Sequence, residues 1–179
     1  MPKKVLVTGA YGYIGSHTVK ALAEHGYAVH ALDKSVSPND IGKYAERVII
    51  SDILNPLTLY EKYYDVVVHL AGLIDVAESV KHPSKYFHNN VQGTLDIIDR
   101  SMFGHIIFAS TAAAFNLSSP YAMTKVMCED LIKEYSNLMF GYDYTIFRFF
   151  NVAGSDGMHR QVGRSSHLIR IAAETAANK

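Results

Sequence analysis

A tyrosine and a lysine stand four positions apart in the run Pro120-Tyr121-Ala122-Met123-Thr124-Lys125. On a helix that spacing puts both side chains on one side, a turn apart, and Pro120 suits the first helical position. The pair points to proton transfer. A phenol titrates near pKa 10, so a base at neutral pH needs it lowered by roughly three units, about 4 kcal/mol. One cation at about 4 Å contributes a similar amount at an effective dielectric near 20. Lys125 is therefore expected to keep Tyr121 partly ionised. Upstream, the pair Ser110-Thr111 closes a short apolar run, and Thr111 is placed to hydrogen-bond a reacting oxygen. With 12 tyrosines in 179 residues the Tyr–Lys spacing alone proves little; its weight comes from its surroundings.

The strongest surrounding signal is Thr8-Gly9-Ala10-Tyr11-Gly12-Tyr13-Ile14-Gly15, between a first strand and a first helix. Gly9 can make the sharp exit from the strand, Gly12 lets backbone approach a diphosphate, and Gly15 lets helix and sheet pack closely. The helix amino terminus then presents free N–H groups and partial positive charge to phosphate. A glycine-rich turn without a ligand is the plainer alternative, but strand, turn and helix all fit the binding reading. Asp33 follows Gly15 by 18 positions, where a carboxylate accepts both hydroxyls of an adenine ribose and repels a 2′-phosphate. That favours NAD over NADP, although Lys34 blurs the electrostatics. Asp52-Ile53 is placed to hold the adenine by one hydrogen bond and one apolar contact. The positive nicotinamide ring would join Lys125 in lowering Tyr121.

The elements that must position these groups are legible as alternating strand and helix units. Strands are expected at 5–7, 28–32, 47–50, 66–70, 106–109 and 144–149, with Asp65 and His105 introducing the fourth and fifth. Helices are expected at 14–25, 84–101, 121–138 and 166–177. This is an α/β fold, a Rossmann-type doubly wound parallel sheet with helices on both faces, and 1–179 reads as one domain. Seventeen basic and seventeen acidic residues give zero formal net charge, so no overall field draws in nucleic acid or an anionic membrane. The single cysteine, Cys128, excludes an intrachain disulfide framework and fits a reducing compartment. No targeting segment or membrane span is expected, and the expected address is the cytoplasm. The nine histidines show no close pair at helical ligand spacing with a carboxylate, so no metal site is expected. Cys128 reads as a packed residue rather than a nucleophile.

Taken in order, these motifs resemble the extended short-chain dehydrogenase/reductase family and, within it, the UDP-glucose 4-epimerases. The likeness runs through Gly12-Tyr13-Ile14-Gly15-Ser16-His17, His69-Leu70-Ala71-Gly72-Leu73, Glu78-Ser79-Val80, Asn89-Asn90-Val91-x-Gly93-Thr94, Ser119-Pro120-Tyr121-x-x-x-Lys125 and Arg148-x-Phe150-Asn151-x-x-Gly154. The resemblance implies Tyr121 as base, Thr111 as its hydroxyl partner, and Lys125 as pKa-lowering residue and ribose ligand. It implies that Tyr13, Ile14, Leu70, Ala71, Gly72 and Asn89 line the cofactor channel, with Phe150 and Asn151 near the nicotinamide and the sugar nucleotide. Tightly held NAD would take hydride from C4 of a UDP-hexose while the tyrosine removes the hydroxyl proton. The ketone would turn over and receive the hydride on its other face. The family also pairs the helices 84–101 and 121–138 across a dimer axis, so a homodimer is expected.

Three departures from the family pattern stand out. The family continues into a carboxyl-terminal substrate domain, and this sequence ends at Lys179, so that domain is expected to be absent. Only nine residues separate Thr111 from Tyr121, which trims one wall of the pocket. Ile74 stands where many epimerases carry lysine, and Arg170, after His167-Leu168-Ile169, stands where the family has proline. The leading expectation is a nucleotide-sugar epimerase of galactose metabolism, interconverting UDP-glucose and UDP-galactose. The alternatives are a truncated NAD-binding module without complete activity, or another nucleotide-sugar dehydratase or reductase. Ala112 and Ala113 after Thr111 argue against a dehydratase, which usually shows an acidic pair there.

Overall fold

The computed structural model describes residues 1–54, 63–161 and 168–177. Strands β1 (Lys4–Thr8), β2 (Ala28–Asp33), β3 (Arg47–Ile50), β4 (Tyr63–His69), β5 (Met102–Thr111) and β6 (Asp143–Phe149) form a parallel sheet in the order β3-β2-β1-β4-β5-β6. Helices α1 (Tyr13–Glu24), α2 (Val76–Lys81), α3 (Pro83–Tyr86), α4 (Gly93–Arg100), α5 (Pro120–Tyr135) and α6 (Leu168–Ala177) follow in chain order. The expected α/β doubly wound arrangement is the one observed.

Alternation along the central strands explains why helices cover both faces. On one face Leu6, Leu32, Val67, Ile106 and Phe108 pack with Ile97 of α4 and Cys128 and Ile132 of α5. On the other Val5, Val7, Val29, Ala31 and Val68 pack with Val19 of α1 and Ile41. A strand buried on both sides reads as a continuous apolar run, and each such side chain withdrawn from water contributes about 1.5–3 kcal/mol. The chain leaves the neighbouring strands β1 and β4 in opposite directions. This opens a crevice above their carboxyl ends, the place where such sheets bind ligands.

Several boundaries differ from the sequence expectation. Asp65 and His105 lie inside β4 and β5 rather than before them. Asp65 Oδ2 accepts from Lys4 N at 2.7 Å, pinning β4 to the start of β1, and His105 Nε2 pairs with Thr145 Oγ1 at 2.9 Å across β5 and β6. The expected helix 84–101 is α3 and α4 joined by a wider π-helical turn, Phe87–Gln92. The short α2 was not anticipated; Asp75 caps it by accepting from Glu78 N at 2.8 Å. Helix α5 passes into another π-helical turn, Ser136–Phe140. The expected start of the last helix, at 166, lies outside the described residues. From Ile169 onward α6 is largely exposed, tied back by Arg170 Nη1 donating to Gln161 O at 2.9 Å.

Candidate functional site

The glycine turn connects β1 to α1 with little space to spare. Gly9 adopts φ +67°, and a Cβ there would lie 2.8 Å from Ala71 N. A Cβ on Gly15 would lie 2.0 Å from the Gly9 carbonyl oxygen, so only glycine lets the first helical turn nest against the turn before it. Gly12 is the α1 N-cap and no side chain caps the helix. The first-turn N–H groups are thus left for an anion at the crevice. Asp33 ends β2; its Oδ2 accepts from Tyr11 N at 2.9 Å, which fixes the carboxylate beside the turn. Asp52 orients itself by accepting from Leu54 N at 3.0 Å, and Ile53 is buried against Gly93.

At the other end, Ser119 caps α5 by accepting from Ala122 N at 3.2 Å, and Pro120 starts the helix. This sets Tyr121 and Lys125 inward, 9% and 3% exposed. Thr111, the last residue of β5, accepts from Ala113 N at 3.2 Å. The phenol of Tyr121 is raised above its ordinary value by burial, and a hydrogen bond with the Thr111 side chain pulls the other way. Lys125 does not exert the expected lowering here. Its Nζ donates to Ala109 O at 2.9 Å and lies 4.7 Å from the Phe108 ring centroid. Burial lowers its own pKa. The ammonium is committed to the sheet edge rather than to the phenol.

One cleft of about 660 Å³ joins the two ends. Asp33, Asp52 and Ile53 line it beyond the glycine turn, and Gly9, Gly12, Tyr13, Ile14 and Gly15 form the turn itself. Leu70, Ala71, Gly72 and Asn89 form the middle wall. Thr111, Tyr121, Lys125, Phe150 and Asn151 surround the far end. Every residue given a cofactor, substrate or proton-transfer role from the sequence thus lines one cleft. Phe150 is 76% exposed, so this end of the cleft is open. Lys34, noted beside Asp33, also lines it, as do Ser51, Val76, Val152 and Gln161, which no spacing or motif marks.

A buried hydrogen-bonded chain supports the middle wall. Thr94 Oγ1 donates to Asn90 O at 2.7 Å, so it accepts from His69 Nε2 at 3.0 Å. His69 Nδ1 then accepts from Thr8 Oγ1 at 2.7 Å, and Thr8 Oγ1 accepts from Ala71 N at 3.2 Å. A neutral ring with its proton on Nε2 satisfies all of these. Burial, with Lys125 adding to it, lowers His69 to about 3. Nearby, Glu129 is buried beside Ser110 and Arg148. It accepts from Arg148 Nε and Nη2 at 2.9 and 2.6 Å, and from Ser110 Oγ. Burial alone would raise Glu129, but the Arg148 and Ser110 hydrogen bonds outweigh it and hold the carboxyl below its usual range. Cys128 is buried and its thiol is pushed up by that burial, in keeping with a packed residue.

The structure also gathers a cluster that sequence spacing did not reveal. Ligand-type atoms of His17, Asp156 and His159 lie within 4.8 Å of one another. Asp156 Oδ2 already accepts from Lys20 Nζ at 2.7 Å and from His159 Nδ1 at 3.0 Å. The Lys20 ammonium and the His159 ring hold Asp156 far below the ordinary carboxylate range. The positive charge a cation would bring is thus already supplied. Among the described residues, no helix is long and apolar enough to cross a membrane.

Comparison with known proteins places this geometry in a family. The chain is 34% identical over 180 residues to a UDP-glucose 4-epimerase of Lactobacillus helveticus, an alignment covering 86% of this chain and 54% of that protein. The crystal structure of UDP-glucose 4-epimerase from Brucella ovis in complex with NAD superposes with a TM-score of 0.88 at 32% identity, covering 98% of this chain and 61% of that one. The UDP-Glc/GlcNAc 4-epimerase of Campylobacter jejuni gives a TM-score of 0.78 at 30% identity, over 99% of this chain and 63% of the other. The chain therefore spans little more than half the length of the relatives it matches. The sequence model of one family covers residues 5–179, taking in both the glycine turn and the Thr111, Tyr121 and Lys125 end of the cleft: the chain belongs to the NAD dependent epimerase/dehydratase family.

Proposed function

We propose that this chain carries the cofactor site and the proton-transfer groups of a nucleotide-sugar 4-epimerase acting on UDP-glucose and UDP-galactose. The observation that carries the reading is that Thr111, Tyr121 and Lys125 share one cleft with an uncapped glycine turn. The residues present fit NAD. The open α1 terminus suits a diphosphate, the Asp33 carboxylate suits ribose hydroxyls and disfavours a 2′-phosphate, and about 660 Å³ lies within the usual range for a cofactor cleft. Bound NAD supplies a reversible hydride acceptor for C4 of the sugar. Tyr121 removes the proton of the C4 hydroxyl and returns it. Thr111 holds that oxygen in line, and Asn151, exposed at the open end, contacts the sugar nucleotide. Because burial raises Tyr121, the phenol needs positive charge beside it to act as a base. Lys125, one helical turn along, would supply it only once its Nζ leaves Ala109 O, and the positive nicotinamide ring of bound NAD would add to it.

The assembly we propose is a homodimer through 84–101 and 121–138. Met123 and Met127, exposed one turn apart on α5, support that reading. The single buried thiol supports a cytoplasmic address. A second reading, an NAD-binding module without turnover, draws on the open end at Phe150. Incubating the purified protein with UDP-galactose and assaying UDP-glucose separates the two. Conversion supports the epimerase, whereas NAD uptake without conversion supports the module.

A further inference from the structure

We propose that residues 150–161 form a strap across the mouth of the cleft that retains the dinucleotide, with Lys20, Asn39, Asp156 and His159 as its positioning residues. Three inter-strand spacings separate β6 from β1, about 14 Å. The five residues from Phe150 to Gly154 reach about 17 Å when extended. The segment has no regular structure, yet Tyr13 Oη donates to Gly154 O at 2.6 Å. The chain therefore runs from the end of β6, at the reacting end of the cleft, to the Tyr13 side chain beside the glycine turn. Phe150, Asn151, Val152 and Gln161 line the cleft at the two ends of the crossing.

The far end is fastened on two elements that do not belong to the strap. Lys20 of α1 donates to Asp156 Oδ2 at 2.7 Å. Asp156 Oδ1 accepts from Met158 N and His159 N at 3.0 and 2.6 Å, so one carboxylate shapes the turn and anchors it. His159, fully buried, inserts between His17 and Tyr44, with ring centroids 5.5 and 5.8 Å away. Its Nδ1 meets Asp156 Oδ2 and its Nε2 meets Asp40 O at 3.2 Å. Asn39, also buried, donates to Arg160 O at 3.1 Å and to Tyr11 O at 3.4 Å, and accepts from Arg160 N at 3.1 Å. The loop after β2 is thereby clamped between the glycine turn and the strap, and a ligand lying on the turn leaves only when the clamp opens.

This inference rests on the NAD reading and deepens it, because a reaction that lends a hydride and takes it back works only while the same cofactor stays bound. The test loads the full chain with NAD and follows its release after dilution into an NAD-consuming trap, for wild type, Lys20→Met, Lys20→Arg and Asp156→Asn. Losing the charge-assisted hydrogen bond between Lys20 and Asp156 is expected to speed release about tenfold in Lys20→Met, and at least as much in Asp156→Asn, which also weakens the bond to His159. Arginine still reaches the carboxylate, so Lys20→Arg is expected to release at about the wild-type rate. The melting temperature of the cofactor-free protein reports structural damage and is expected to change little in Lys20→Met, whose side chain is partly exposed. Unchanged release in both charge-removing variants overturns the strap while leaving the cofactor reading intact. A wild-type chain that takes up no NAD overturns both.

Discussion

Replacing Gly15 by alanine tests the glycine turn where the structure leaves least room. The added methyl carbon would lie 2.0 Å from the Gly9 carbonyl oxygen and 2.9 Å from Ala10 Cα, both backbone atoms that no rotamer change can move. That oxygen also accepts from Gly12 N at 3.0 Å, and Gly9 is itself pressed against Ala71. Relief to an ordinary contact takes a displacement of about 1 Å, passed from the turn to the next strand end. Overpacking of this kind costs about 1–3 kcal/mol or more, against a helix gain of about 0.5–1 kcal/mol for alanine over glycine. The expected net loss is about 2 kcal/mol in urea unfolding, together with a loss of NAD affinity of about a hundredfold or more as the turn N–H groups leave register. Gly26→Ala is the control. Gly26 has φ +82° and nothing within 4 Å of the added carbon, so it should lose about 1–2 kcal/mol from the left-handed backbone alone with NAD affinity unchanged. Wild-type stability and wild-type NAD binding in Gly15→Ala would refute the reasoning.

Other substitutions probe the remaining parts of the cleft. Tyr121→Phe should abolish epimerisation while leaving NAD and UDP binding near wild type by calorimetry; full activity would remove Tyr121 as the base. Ser119→Ala deletes the α5 cap and should cost about 1 kcal/mol in urea unfolding, with a fall in turnover larger than any change in NAD affinity. Glu129→Gln breaks a buried ion pair and should cost about 3 kcal/mol at neutral pH. Because folding depresses the Glu129 pKa, its contribution is complete above the unfolded value of about 4.3 and fades as pH falls through the folded one. The stability gap between wild type and Glu129→Gln should therefore narrow below about pH 4, and a gap that widens there would contradict the assignment.

The central strands were legible because burial on both faces demands uninterrupted apolar residues, as in Val66-Val67-Val68. The strand starts were not. Tyr63 and Met102 begin β4 and β5 at exposed positions, where sheet pairing extends the strand without any apolar requirement. The cleft residues were legible through the glycine turn and the Tyr121–Lys125 spacing, which are local. The direction in which Lys125 points was not, since Ala109 O competes for its ammonium only after β5 and α5 pack together. The strap fasteners were invisible for a related reason: Lys20 and Asp156 meet across 136 positions, and no periodicity joins them. The π-helical turn was missed because one extra residue in a helical run barely disturbs an apolar pattern.

That wider turn has a consequence for the wall of the cleft. Asn89 faces the cleft, while the very next residue, Asn90, is buried and grips Leu73 through both its amide N–H and its carbonyl and donates to Thr124 Oγ1. The main-chain oxygen of Asn90, in turn, receives the Thr94 hydroxyl and the Cys128 thiol. A single coil of backbone thus serves two tenants, a ligand-facing asparagine and a hub for the interior. Shortening it by one residue would swing the following side chains by about 100°, so this stretch can vary in composition far more freely than in length.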